Sequence, residues 1–179
     1  MKTKIFLILL IHFQIGLAQD KLITKTGTIV FEASVPSFEE VKAKNEAVSC
    51  VLNTTSGEIA SLALMKGFRF KIALMEEHFN ENYVESDTYP KASFKGTIED
   101  FDYRKIDQNQ KEYTVNGKIE MHGKSKQISV TAKIKKTEKG LEFLSNFDLN
   151  ADDFNIKIPN IVSKKVSKKV NVDLNFNLK

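Results

Sequence analysis

The C-terminal stretch Val170-Asn171-Val172-Asp173-Leu174-Asn175-Phe176-Asn177-Leu178 alternates apolar and polar residues without a break. Successive side chains on an extended strand point to opposite faces. Val170, Val172, Leu174, Phe176 and Leu178 therefore share one apolar face, while Asn171, Asp173, Asn175 and Asn177 share a wet one. A helix would scatter these residues around its axis, so the segment reads as a strand with a core on one side and water on the other.

Working backwards, the same parity recurs. Leu141, Phe143 and Phe147 oppose Glu142, Asn146 and Asp148, and Ile128, Val130, Ala132 and Ile134 oppose Gln127, Ser129, Thr131 and Lys133. Tyr113, Val115, Gly117, Ile119 and Met121 form another apolar face, and so do Ala92, Phe94, Gly96 and Ile98. His122-Gly123-Lys124 and Glu138-Lys139-Gly140 read as tight turns, and the polar stretch Asp107 to Lys111 as a hairpin loop. Further upstream, Thr26 to Val35, Ala47 to Asn53 and Glu58 to Ile72 carry strand composition, the last broken near Lys66-Gly67. The count comes to about eight strands, with no internal repeat and no interdomain linker.

Two stretches depart from this pattern. Leu74, Met75, His78 and Phe79 fall on one helical face opposite Glu76, Glu77, Asn80 and Glu81, which predicts a short amphipathic helix over Leu74 to Tyr83, docked on the sheet. Asp152 to Asn155 reads as a second helical turn, ended by Pro159. Long strands with one clean apolar face and no long helices to cover it leave two architectures, a sandwich or a closed barrel. Strands near ten residues in length favour the barrel, so the expected fold is an all-β, eight-stranded antiparallel barrel with a short capping helix.

The chain opens with Lys2 and Lys4 followed by an apolar run from Ile5 to Leu17, with Gly16 and Ala18 as the small residues a signal peptidase requires. Residues 1–18 are therefore expected to be a cleaved signal peptide and 19–179 the barrel domain, exported to the periplasm or secreted. The run is too short for the roughly 20 residues a membrane span needs, so no stable membrane insertion is expected. Loss of Lys2 and Lys4 leaves 25 basic against 23 acidic groups, too weak a field to argue for nucleic acid. Cys50 is the only cysteine, which rules out an intrachain disulfide and reads as a buried small hydrophobe.

The residues also argue against catalysis. Beyond position 18 only His78 and His122 remain, and there is no nucleophile elbow and no phosphate loop. His78 reads as a helix-face residue hydrogen-bonded under the cap, and His122 as closing a hairpin. Asp148, Asn150 and Asp152 imitate the start of a calcium loop, but Asp153 and Pro159 stand where glycine and glutamate belong. No metal, no cofactor and no enzymatic activity are expected. Lys164, Lys165, Lys168 and Lys169 flank Val166 either as a solvated turn or as a contact for anionic head groups.

Eight strands enclose a space that side chains can just fill or that can hold one small ligand. Gly96 and Gly117 lie on the inward parity. They either permit close packing beneath an aromatic ring or leave volume. The many phenylalanines read equally as ordinary core, so on periodicity alone a cavity stays open as one of two outcomes.

The segment His78-Phe79-Asn80-Glu81-Asn82-Tyr83-Val84-Glu85-Ser86, followed by Tyr89-Pro90-Lys91-Ala92-Ser93-Phe94, resembles the signature of the YceI-like family of bacterial polyisoprenoid-binding proteins. Val115-Asn116-Gly117-Lys118-Ile119 with His122-Gly123, and Asp153-Phe154-Asn155-Ile156-Lys157-Ile158-Pro159, resemble two further elements of that family, so the likeness spans roughly Gly27 to Leu178. One departure stands at Phe31, which is followed by Glu32-Ala33-Ser34 where many members carry a histidine. The resemblance implies a lipocalin-like barrel, export to the periplasm and an isoprenoid-type lipid, such as a quinone tail, held inside. It leaves a homodimer open and supplies no catalytic residue. The expected wall comprises Phe70, Leu74, Met75, Phe79, Phe94, Val115, Ile119, Phe143, Phe147 and Phe154.

Overall fold

The computed structural model describes residues 20–179; the expected signal peptide lies outside them. Strands β1 (Lys21–Ser34), β2 (Lys42–Asn53), β3 (Glu58–Leu64), β4 (Arg69–Phe70), β5 (Lys91–Ile98), β6 (Lys111–Met121), β7 (Lys124–Thr137), β8 (Gly140–Asn150) and β9 (Val166–Leu178) form one antiparallel sheet. Eight of them pair in chain order, and β9 returns to pair with β1 (Phe31 opposite Val172), which closes the barrel. The two-residue β4 is an extra strand that pairs only with β2, through Ala43 opposite Phe70. Closure removes the free edges that an open sheet of this size would expose.

The alternation that predicts the strands is the alternation of burial. Along β9, Val172, Phe176 and Leu178 are buried while Asp173, Asn175 and Asn177 face solvent. The outer face of β8 and β9 carries its own polar ladder. Asn146 donates to Asn171 and Asp173 at 2.9 and 2.7 Å, and Asn171 donates to Asp148 at 3.0 Å.

Turn chemistry sets the register. His122 and Gly123 both take positive φ (50° and 68°), the backbone that a two-residue hairpin between right-twisted strands demands. Met121 and Lys124 face each other across it. The β5–β6 connection is longer than the expected Asp107–Lys111 loop and runs over 99–110. Its residues Phe101, Tyr103 and Ile106 turn back onto the core and seal that end of the barrel, with Ile106 only 4% exposed. A segment that plugs a barrel end has no reason to keep strand parity, which is why its apolar residues escape a period-two reading.

The sealed half is packed solid. Phe143 and Phe176 stack with ring centroids 6.1 Å apart, above fully buried Leu52, Ile134, Leu141 and Leu178. Gly96 and Gly117 face each other across β5 and β6, and the Phe94 ring lies over both. A β-carbon on Gly117 would sit 2.4 Å from Phe94 Cζ and 2.5 Å from the Lys95 carbonyl oxygen. Of the two readings open for these glycines, close packing beneath a ring is the one observed. Gly117→Ala should therefore cost about 1–3 kcal/mol in urea unfolding, and an unchanged midpoint would contradict this packing.

Candidate functional site

The connections β1–β2 (35–41), β3–β5 (65–90), β6–β7 (122–123) and β8–β9 (151–165) all lie at the other end of the barrel. There the interior is open. A cavity of about 400 Å³ runs from Phe143, Phe176, Val115 and Ile59 up to this mouth, within the ~300–1,000 Å³ common for small-molecule sites. Its walls are overwhelmingly apolar. The volume comes from short side chains on inward positions of the upper wall, namely Ala33, Ser61, Ala63, Ala92 and Ala151. It does not come from the glycine pair, whose space Phe94 occupies.

Nine of the ten expected wall residues line this cavity: Phe70, Met75, Phe79, Phe94, Val115, Ile119, Phe143, Phe147 and Phe154. Leu74 does not. It is 57% exposed, because the helix α1 (Ala73–His78) and the residue that follows it turn Met75, His78 and Phe79 to the chamber side, His78 at its solvent-exposed edge. At about 100° per residue Leu74 sits roughly a quarter turn from the centre of that face. The helix then widens into a π-type turn over Phe79–Tyr83, with the Val84 N–H donating to the Phe79 carbonyl at 3.0 Å.

Aromatic contacts clamp this cap onto the barrel. Phe79 lies 5.3, 5.9 and 5.2 Å from Phe31, Phe68 and Phe70, spacings at which aromatic pairs attract beyond their buried area. Phe31 also meets Phe68 and Phe70 at 5.3 and 5.7 Å. Phe31 and Phe68 line the chamber too, and neither stands among the expected wall residues. The β8–β9 connection also supplies wall residues that the sequence does not single out, Ile156, Ile158 and Val162. They lie outside any periodic element, and a stretch such as Ile156-Lys157-Ile158-Pro159 gives no sign of which way it folds.

The residues around the mouth that resemble family signatures meet one another. His122 Nδ1 lies 2.9 Å from the Phe154 carbonyl oxygen; since a carbonyl can only accept, Nδ1 carries the proton. The Tyr89 ring packs on the imidazole at 4.5 Å, and Tyr89 Cε1 would lie 3.0 Å from a β-carbon on Gly123. Lys126 pairs with Asp153. Glu85 Oε2 lies 3.5 Å from His122 Nε2, and that nitrogen has no hydrogen-bond partner. The hairpin, the segment after the cap helix and the 151–154 turn are thus buckled together through one histidine.

The polar groups of the site sit toward the mouth, where Glu39, His78, Asn150, Lys165 and Ser167 contribute to the lining. The His78 side chain is exposed and its ring makes no hydrogen bond among the described residues, in contrast to the expected bond under the cap. No group of three or more His, Cys, Asp or Glu is placed to hold a metal ion among the described residues. Asp148 is engaged by Asn171 and Lys169, which hold its carboxyl below the usual range, and Asp152 by Lys168 at 2.9 Å. Cys50 points into the sealed half, where burial pushes its thiol up to about 12.

The geometry defines a lipocalin-like vessel, a closed antiparallel barrel with a filled base and an apolar chamber under a helical lid. The chain belongs to the YceI-like domain family, whose sequence profile matches residues 12–178. Among solved structures it is similar to a polyisoprenoid-binding domain from Saccharophagus degradans implicated in plant cell wall breakdown. The two superpose with a TM-score of 0.74 at 15% identity over 89% of this chain and 96% of that one. Burkholderia cenocepacia BcnA gives 0.69 at 15% identity over 84% and 94%. A YceI protein of Campylobacter jejuni gives 0.61 at 18% over 81% and 89%. What is shared at these identities is the fold. None of the curated proteins matches the chain in sequence.

Two outcomes check the site. His122→Ala strands the Phe154 carbonyl and should cost about 1–3 kcal/mol of stability in denaturant unfolding; no change would contradict the buckle. Cys50 should resist a thiol reagent at pH 8 in the folded protein and react once unfolded, since the thiolate is the nucleophile. Rapid labelling of the native state would contradict its burial.

Proposed function

We propose that this protein is an exported carrier that holds the apolar chain of an isoprenoid-type lipid inside its barrel. The observation that carries the reading is the chamber itself, an apolar volume open at one end above a solid base. Family membership supports it, as does the Saccharophagus degradans neighbour, described as a polyisoprenoid-binding domain. Export rests on residues 1–18 acting as a signal peptide ahead of the domain at 19–179. No helix among the described residues is long and apolar enough to cross a membrane.

The energetics allow it. Burying about 20 tail carbons at roughly 0.8 kcal/mol each gains about 16 kcal/mol, against roughly 4–15 kcal/mol for association and ordering. With so few polar groups in the wall, selectivity falls to the length and bore of the chamber. The proposed wall is the nine lining residues named above, and the role needs no catalytic group.

Two charges in the wall test it. Phe94→Arg with Phe147→Arg places guanidinium groups where an alkyl chain would lie, at a desolvation cost no lipid tail can offset. Organic extracts of protein purified from its own host, read by mass spectrometry, should contain a prenyl lipid for the unaltered chain and none for the folded double variant. A double variant that keeps both its circular dichroism and its lipid would overturn the reading.

A further inference from the structure

The β8–β9 connection has two sides. Inward, Ile156, Ile158 and Val162 form part of the chamber wall. Outward, Ile161 is 87% exposed, the most exposed large apolar side chain among the described residues. A branched aliphatic held in water this way forgoes the stabilisation that burial would bring, in a loop that buries Ile156 and half-buries Ile158 and Val162.

The charges of this connection are not mutually neutralised. Asp152 is paired with Lys168 and Asp153 with Lys126, so both acids of the segment are occupied by lysines of β9 and β7. Lys157, Lys164 and Lys165 have no ion-pair partner among the described residues. Three cations without an ion-pair partner among the described residues thus flank one exposed isoleucine in the connection at the lip of an apolar chamber. Beside this lip, where Ser34 of β1 pairs with Val166 of β9, Phe38, 47% exposed, is followed by Glu39 and Glu40; across the mouth the sign reverses, for the outer side of α1 carries Glu77, continued by Glu81 in the turn after it.

We infer that the β8–β9 connection docks the barrel mouth on a bilayer surface bearing anionic head groups, with Ile161 entering the interface and Lys157, Lys164 and Lys165 facing phosphates. The partner is identified by complementarity, since an exposed apolar residue on a connection with lysines before and after it fits an anionic lipid surface. Glu77 and Glu81 on the opposite side of the mouth give the contact a direction, tilting the barrel so that this lip touches first. Continuity with the chamber gives it a use. A tail leaving the bilayer beside Ile161 meets Val162 and Ile158 without crossing open water. The contact is peripheral and reversible, since one isoleucine and three lysines fall well short of an inserted helix.

The inference rests on the carrier reading, and the experiment separates the two. The full chain is floated with phosphatidylcholine vesicles and with vesicles containing one part in three phosphatidylglycerol, at low and high salt, while an apolar fluorophore is titrated into the same proteins. Each lysine near an anionic surface is worth about fivefold in partitioning. The chain should float with the phosphatidylglycerol vesicles alone and be released by salt. Lys157→Gln with Lys164→Gln should weaken flotation about 30-fold, and Ile161→Asp should abolish it, all with unchanged saturable probe binding. Flotation equal in all variants, or absent in the unaltered chain, overturns the docking site, and saturable probe binding then leaves the carrier reading standing. A chain that binds no probe sinks the carrier reading and this inference with it.

Discussion

Closure of the sheet governs everything else in this molecule. Each long strand has one apolar face, and among the described residues only a six-residue helix and short turns are available to cover it. The sheet hides that face by bending until β9 reaches β1. Eight strands then fix a circumference, and whether the enclosed space is full depends on the sizes of the inward side chains. In the lower half Phe143, Phe176, Leu141 and Ile134 fill it, with Gly27 giving way beneath the Phe176 ring. In the upper half alanines and a serine stand at inward positions and cannot.

The lid follows from that shortfall. A chamber open to water needs something apolar over part of its mouth, and Met75 and Phe79 supply it from α1 and the turn that continues it. Phe31, Phe68 and Phe70 grip Phe79 from the barrel rim. Opposite them, His122 holds the 151–154 turn through the Phe154 carbonyl while Tyr89 packs on its ring. Of the residues that carry the family resemblance, Tyr89, His122 and Gly123 thus act as fasteners, while Phe79, Phe94, Val115, Ile119 and Phe154 belong to the chamber wall.

Much of this was legible in the sequence wherever a strand stayed regular. β5 to β9 follow from parity alone, because each has one face in water and one in the core. The early strands were harder. β1 and β2 slip register around Gly27 and Ile29, and Asn45 occupies an inward position. Its amide is satisfied by donating to the Leu64 carbonyl at 3.0 Å and accepting from the Ala47 N–H at 2.9 Å. A buried, fully bonded asparagine looks polar to a periodicity reading, so the first half of β2 went unseen. At the site, Phe94, Val115, Ile119, Phe143 and Phe147 face the chamber because they lie on inward strand parity, whereas Phe70, Met75, Phe79 and Phe154 reach it from the elements at the mouth. Leu74 was misplaced because its helix is so short that one residue of offset carries a side chain from lumen to solvent. The source of the volume was also hidden, since alanines on a strand look the same whether the space beside them is filled or empty.

The central claim is that the upper barrel keeps a space for an alkyl chain. A crystal structure of the protein loaded with a long-chain polyprenol tests it most directly. Continuous density should run from the Phe143–Phe176 floor, past Ala63 and Ala92, to the mouth beneath Phe79, with the barrel backbone unmoved. A structure in which Phe79 and Phe94 have swung in to fill the lumen, with the polyprenol absent or bound outside, would contradict it.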